Sequence, residues 1–326
     1  MSPPYHITSS CTDGGEKGIS WCWGNHFPMP IASRRYRQED FQTVMGFLRD
    51  TFAETGSLHN WLPPRFENSR DALFPDTQIW EEICGGPPRI VAVANPEVKF
   101  RYFIQIYPDF AFLEGEIVRW IEGHCASQKP DPDGELRISI VALEGNPARE
   151  AALLEQGFER GPVYGILRLR DVEAPITDYQ PPEGYTIRSV RPETDFPRIA
   201  EIIRMVFSHS EWFTAEVLEG LSRASFYNPD LDLVVVAPDG SIASFCTFRM
   251  DPPSRITELE PMGTHPNHRR LGLAKALLSE GFRRLRSYNP SLLYIGGAAD
   301  TTEANRLYEV TEFKEKHDYY YWHKKI

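Results

Sequence analysis

Apolar residues follow two rhythms along this chain, and the rhythms come in the same order twice. From Ser33 a strand-like start leads into FQTVMGFLRDTFAE, where Phe41, Val44, Met45 and Leu48 recur at helical spacing. Residues 58–75 carry several prolines and aromatics, which predicts a loop with a short helix. Arg89 to Ala94 and Arg101 to Tyr107 are β-branched and aromatic, bounded by Pro and Gly, and predict strands. A helix over Phe112 to Cys125, a strand over Leu136 to Leu143, a helix over Pro147 to Gln156 and a strand over Val163 to Leu169 follow. After DVEAPITDYQPPEG, Asp171 to Gly184, the order starts again. Tyr185 to Val190 predicts a strand. Asp195 to Phe207 predicts a helix capped by Thr194 or Asp195, with Ile199, Ile202, Ile203 and Val206 on one face. A second helix over Thr214 to Ser225 precedes a hairpin, Leu231 to Ala237 and Ser241 to Met250, that turns at Pro238-Asp239-Gly240. The Arg255 to Thr264 strand, the Leu271 to Arg286 helix, the Leu292 to Ile295 strand, the Thr302 to Val310 helix and two closing strands complete the second round.

The junction of the last long strand and helix holds the chemistry. There Arg269-Arg270-Leu271-Gly272-Leu273-Ala274 opens an amphipathic helix. A helix start leaves backbone N–H groups unpaired at the positive end of the dipole. Small Gly272 and Ala274 let an anion approach those groups, and Arg269 and Arg270 add charge, which makes a diphosphate cradle. No Gly-Lys-Ser/Thr follows and no glycine triplet is present, so the stretch is neither a P-loop nor a dinucleotide fingerprint.

This stretch resembles the Q/R-x-x-G-x-G/A signature of the GNAT superfamily of acyl-CoA-dependent N-acetyltransferases. A second segment, Asn305-Arg306-Leu307-Tyr308-Glu309-Val310-Thr311-Glu312-Phe313, is similar to the family's N-x-x-L-Y-x-x-x-G-F, with Glu312 in the place of Gly. The resemblance covers residues 184–326 directly. It implies an α/β (α+β) fold: a mixed, mostly antiparallel sheet flanked by helices, with a splayed central pair of parallel strands, here Arg255 to Thr264 and Leu292 to Ile295. It further implies acetyl transfer from acetyl-CoA to the primary amine of a small molecule, by direct attack in a ternary complex. Backbone groups of Met262, Gly263 and Thr264 would meet the pantetheine arm. Arg269, Arg270, Leu271, Gly272, Leu273, Ala274 and Asn305 would complete the CoA site. Tyr308 occupies the family position of the acid that protonates the leaving thiolate. Glu258 matches the glutamate base of some histone-type members. Glu260, two residues on, shares its strand face, and either could take a proton through water or hold a cationic substrate.

The first round is a degenerate copy of the second. Tyr107-Pro108-Asp109-Phe110 stands where His265-Pro266-Asn267-His268 stands later. On that register Ala111 replaces Arg269, Glu114 replaces Gly272 and Glu116 replaces Ala274; near the end of the copy Leu153 replaces Tyr308 and Glu150 replaces Asn305. Two carboxylates at a diphosphate site repel the ligand, so one CoA site per chain is expected, in the second copy. The domain division is then 1–30, an irregular extension with Trp21 and Trp23; 31–173, the degenerate GNAT-like domain; 174–184, a linker; and 185–326, the catalytic GNAT domain. Tandem GNAT chains such as mycothiol synthase share this plan. A mycothiol-synthase-like or longer acyl transfer, and a non-catalytic CoA-binding scaffold or sensor, are the alternatives. The segment 207–228 is expected on the acceptor side.

Composition narrows the partners. Hydrophobic residues make up 41% and charged residues 25% of 326 positions, as in a globular protein. No stretch is apolar enough for a membrane span, and the start lacks a signal pattern. The net charge of −11 argues against a nucleic-acid partner. Cys11, Cys22, Cys84, Cys125 and Cys246 are scattered without CxxC spacing, which predicts a reduced cytoplasmic protein without a metal site. A monomer or a homodimer is expected.

Overall fold

The computed structural model describes residues 30–70, 75–84, 86–129, 136–207, 211–298 and 301–326. The N-terminal extension, with Trp21, Trp23, Cys11 and Cys22, lies outside the described residues. The first half runs β1 (Ile31–Arg35), α1 (Phe41–Thr55), α2 (Pro63–Asn68), β2 (Gln78–Glu82), β3 (Arg89–Val98), β4 (Arg101–Ile106), α3 (Glu114–Ala126), β5 (Arg137–Leu143), α4 (Pro147–Glu155) and β6 (Glu159–Arg170). The second runs β7 (Thr186–Ser189), α5 (Pro192–Val206), α6 (Ala215–Leu221), β8 (Asp232–Val236), β9 (Ile242–Met250), β10 (Ile256–Thr264), α7 (Leu273–Arg286), β11 (Leu292–Ala298), α8 (Thr302–Val310) and β12 (Glu315–Lys325). The two halves match element for element. The expected pair of closing strands is a single long strand, β12, and β2 is an element the periodicity did not single out.

The repeat extends to local geometry. Asn146 caps α4 by accepting from Arg149 N–H, and Thr301 caps α8 by accepting from Ala304 N–H. Past each helix the chain turns through a left-handed residue, Gly157 at φ +77° and Glu312 at φ +74°. Phe158 and Phe313 then bond back to Leu153 and Tyr308 at 2.9 Å. Glu312 thus takes the backbone conformation of the glycine it replaces, one an L side chain occupies only at some cost.

Among the described residues, the strands join one twelve-stranded sheet in the order β1-β2-β3-β4-β5-β12-β6-β11-β10-β9-β8-β7. The halves exchange their last strands at its centre. β12 lies antiparallel between β5 and β6, and β6 lies antiparallel between β12 and β11. Trp322 of β12 is consequently buried in the core of the first half, the cluster that also holds Ile121 and Leu153. Burial of such a side chain is worth about 2–3 kcal/mol, so the swap is energetically substantial.

Among the described residues, only β4–β5 and β10–β11 pair in parallel. Their ladders end at Tyr102–Ile140 and at Glu258–Tyr294, and beyond these points each pair parts. Polar clamps tie the halves together. Arg49 of α1 forks onto buried Asp251 at 2.9 and 2.7 Å. Glu67 of α2 accepts from Ser225 N–H at 2.7 Å and from its hydroxyl at 2.6 Å. These contacts lay α2 against β10.

Candidate active site

Hydrogen-bond alternation along β10 decides what faces the gap. His265 N–H bonds to Ala243 of β9 at 2.9 Å. In an antiparallel ladder the next residue back, Thr264, and then Met262, turn their N–H and C=O away from β9 and toward the parting from β11. The intervening Gly263 is packed hard on Phe245: a Cβ there would lie 2.7 Å from the ring. Ser244 fixes the strand end, donating to Gly263 C=O at 2.8 Å and sharing a 2.9 Å bond with the Thr264 hydroxyl.

The chain then turns into α7. Arg270 and Gly272 adopt left-handed backbone, φ +65° and +78°. Gly272 caps the helix without a side chain, so the first-turn N–H groups keep no internal acceptor. Leu273 is buried and anchors the turn, while Arg269, Arg270 and Leu271 are exposed and Ala274 is partly so. The six predicted cradle residues therefore sit together at one helix start, next to the end of the splayed strand.

The same two places in the first half are filled from within. Tyr107 N–H bonds to Val91, which turns Ile106 toward its gap. There the Asn60 carboxamide accepts from Ile106 N–H at 2.8 Å and donates to Ile106 C=O at 3.0 Å. At the start of α3, Glu114 pairs with buried Arg149 at 2.6 Å, and Glu116 accepts from Trp80 Nε1 at 2.7 Å.

On the opposite face of β10 lies Glu258, with no exposed surface. Neither carboxylate oxygen has a hydrogen-bond partner among the described residues. Burial, and then the charge of Glu260, push it up to about 7; Arg65 and Arg249 act against the rise. Gly296 of β11 makes room for it: a Cβ there would stand 3.0 Å from Glu258 Oε1. Glu260 is partly exposed and meets Arg65 at 3.3 Å. Tyr308 of α8 is buried edge-on to Phe313, ring centroids 5.7 Å apart. Burial, with Glu260 second, raises it to about 12, which keeps it protonated. Asn305, from the same helix, accepts from Arg168 of β6 and donates to Thr301 C=O at 3.0 Å.

Residues 196–313 match the model of the Acetyltransferase (GNAT) family. The chain carries a GNAT acetyltransferase domain. It is 32% identical over 178 residues to a mycothiol acetyltransferase of Salinispora arenicola, an overlap of 50% of this chain and 55% of that one. It is 26% identical over 160 residues to the mycothiol acetyltransferase of Saccharopolyspora erythraea, covering 46% and 52%. The chain thus spans about half the length of the curated relatives it matches. Among solved structures, a GCN5-related N-acetyltransferase from Sphaerobacter thermophilus superposes with TM-score 0.66 at 19% identity, over 91% of this chain and 97% of that one. A tandem GNAT protein from the clavulanic acid biosynthesis pathway gives 0.62 at 16% identity, over 91% and 98%. The fold is shared with both.

Much of the wall beside Glu258 of the GNAT domain comes from elsewhere in the chain. A cavity of about 30 Å³, room for a water or two, adjoins it. Trp61 and Arg65 of the first half, Tyr164 and Tyr319 of the exchanged strands, and Tyr294 line it. The segment expected on the acceptor side, 207–228, supplies none of these; its described part packs through Leu218 and Phe226 and meets Glu67 through Ser225. Ser208, His209 and Ser210 lie outside the described residues. Arg65, Tyr294, Gly296 and Asn60 were not legible as site residues. Each is ordinary in sequence and takes its role from a contact distant along the chain: Asn60 with Ile106, Tyr294 and Gly296 beside Glu258, and Arg65 across the halves with Glu260.

Proposed function

We propose that the second half transfers acetyl from acetyl-CoA to the primary amine of a small molecule, by direct attack in a ternary complex. The observation that carries this reading is a single line of groups across the sheet. It runs from the uncapped, basic start of α7, through the outward-turned backbone of Thr264 and Met262, where the Thr264 carbonyl accepts only a long 3.4 Å bond from Arg269, to a buried carboxylate that titrates near neutrality. In this reading the α7 N–H groups with Arg269 and Arg270 hold the diphosphate, and β10 pairs with the pantetheine arm. Glu258, through water in the adjoining cavity, takes the ammonium proton, and the freed nitrogen bonds to the thioester carbon. Backbone N–H groups of β10 face the developing oxyanion. The C–S bond breaks, Tyr308 gives its proton to the leaving sulfur, and the second proton, shed by the nitrogen as the amide forms, passes through solvent to restore the Tyr308 hydroxyl.

Residues 31–173 form, in this proposal, a degenerate domain that binds no CoA, because Asn60 and the Glu114–Arg149 pair occupy its two ligand positions. Residues 185–326 are the catalytic unit, and the free described cysteines suit a reduced, cytoplasmic setting. A mycothiol-type amine is a second acceptor reading, favoured by the 26–32% identity to proteins of that name. The test is a panel of amines with acetyl-CoA, read by thiol release beside calorimetric CoA binding. Turnover with any amine supports transfer; CoA binding without turnover across the panel makes the chain a CoA-binding scaffold.

A further inference from the structure

Arg65 stands on α2 of the first half, yet its guanidinium reaches the second half. It bridges Glu97, at the end of β3, and Glu260 of β10 at 3.3 Å, and it lies 5.7 Å from the Trp61 ring centroid. Glu97 is itself fixed by the Tyr164 hydroxyl at 2.6 Å and by Arg101 at 3.3 Å. The fork is therefore anchored on one side and holds Glu260 on the other. It also lines the cavity that contains Glu258. We propose that Arg65 is a positioning residue for the second half's site, supplied by the first half: by bridging Glu97 to Glu260 it holds Glu260 in place and sets its own charge beside Glu258, where the amine reacts.

The groups that face Glu258 are Glu260 on its own strand, Arg249 on β9, Tyr294 on β11, Tyr319 on β12 and Arg65 on α2. Glu260 opposes ionisation of Glu258, and Arg65, Arg249 and the Tyr294 hydroxyl favour it. Arg249 sits across the ladder from Glu258 and is buried, so it is a fixed charge. Arg65 is the cation that the first half adds. Its planar fork satisfies two carboxylates at once, which a lysine ammonium does not do with the same geometry.

The inference rests on Glu258 as the base, and the experiment separates the two ideas. The pH profile of kcat/KM is measured for the full chain and for Glu258→Gln, Arg65→Gln and Arg65→Lys, with acetyl-CoA affinity by calorimetry. Glu258→Gln should abolish the acidic limb; if the limb stays, the base assignment fails and not the bridge. Arg65→Gln should move the limb up by about one pH unit, leaving CoA affinity unchanged. Arg65→Lys should keep the limb near its wild-type position and lower kcat/KM by about 10-fold at every pH, because the charge remains and the fork is lost. If the Gln variant fails to fold, the Lys variant decides. An unmoved limb in Arg65→Gln, or wild-type kcat/KM in Arg65→Lys, overturns the proposal.

Discussion

Replacing Glu258 by glutamine should stabilise the protein above neutral pH and leave it nearly unchanged in acid. The carboxyl is raised from 4.5 to about 7, first by burial and then by Glu260. The folded state thus binds its proton more tightly than the unfolded chain does. Stability from this group is complete below about 4.5 and is lost as pH rises through about 7. At about 1.4 kcal/mol per unit, the loss by about pH 8.5 is about 3 kcal/mol at most. Glutamine is neutral throughout and nearly isosteric, so it escapes that loss.

Asp232 is raised to about 6 by burial and has the same sign in a lower window. Asp195 and Asp251 are lowered despite their burial, by bonds to Arg188 and Arg49; their stability is present at neutral pH and lost in acid. All these terms are common to both proteins and cancel in the difference. Urea unfolding of wild type and Glu258→Gln between about pH 5 and 8.5 isolates Glu258. The two should differ little at the acid end, and the variant should be the more stable at the alkaline end. Parallel curves across the range would refute the claim that an unpaired buried charge sits at this position.

Tyr308→Phe should lower turnover by about 100-fold where chemistry limits the rate, with CoA affinity unchanged, as for a lost general acid. Titration should find one CoA site per chain, and Gly272→Glu should abolish it. The side chain would bring a carboxylate to the helix start and a Cβ to φ +78°; two sites, or binding that survives, rejects the cradle. A fragment beginning at Ile176 should not reproduce wild-type kinetic constants or melting, since it lacks β6, and β12 then loses both of its sheet partners.

Much of the fold was legible because amphipathic periods are local. Ile199, Ile202 and Ile203 declare the buried face of α5, and Gly272 declares a backbone that only glycine adopts freely. The Arg269–Ala274 turn could be read for the same reason: its charges and small residues are contiguous, and they sit together at the start of α7. Strand exchange could not. The choice of β12 to pair with β5 links Tyr321 to Val141 across the length of a domain, and no local pattern distinguishes that partner from one nearer in sequence. Glu258 shows the same limit. On sequence it is one of two alternating carboxylates on a strand, and the difference between them is made by Arg65, by Gly296 and by the cover that α2 lays over β10.

The exchange also accounts for what the first half has kept and lost. The places that correspond to the proposed CoA contacts are filled: Asn60 bonds both backbone groups of Ile106, and Arg149 pairs with Glu114. Reopening either place would leave buried polar atoms unpaired, at about 1–3 kcal/mol each, so the substitutions are locked in by the structure around them. Its core is under the opposite constraint. Strand β6 places Arg168 against Asn305 and the Phe313 carbonyl, and Arg170 against the Thr311 carbonyl, so the turn that carries Tyr308 is held by the first half's last strand. Disorder in the first-half core would loosen β6, and with β6 the helix that presents Tyr308. The first half's strands thus hold the helix of the second half that presents Tyr308, whatever the first half itself binds.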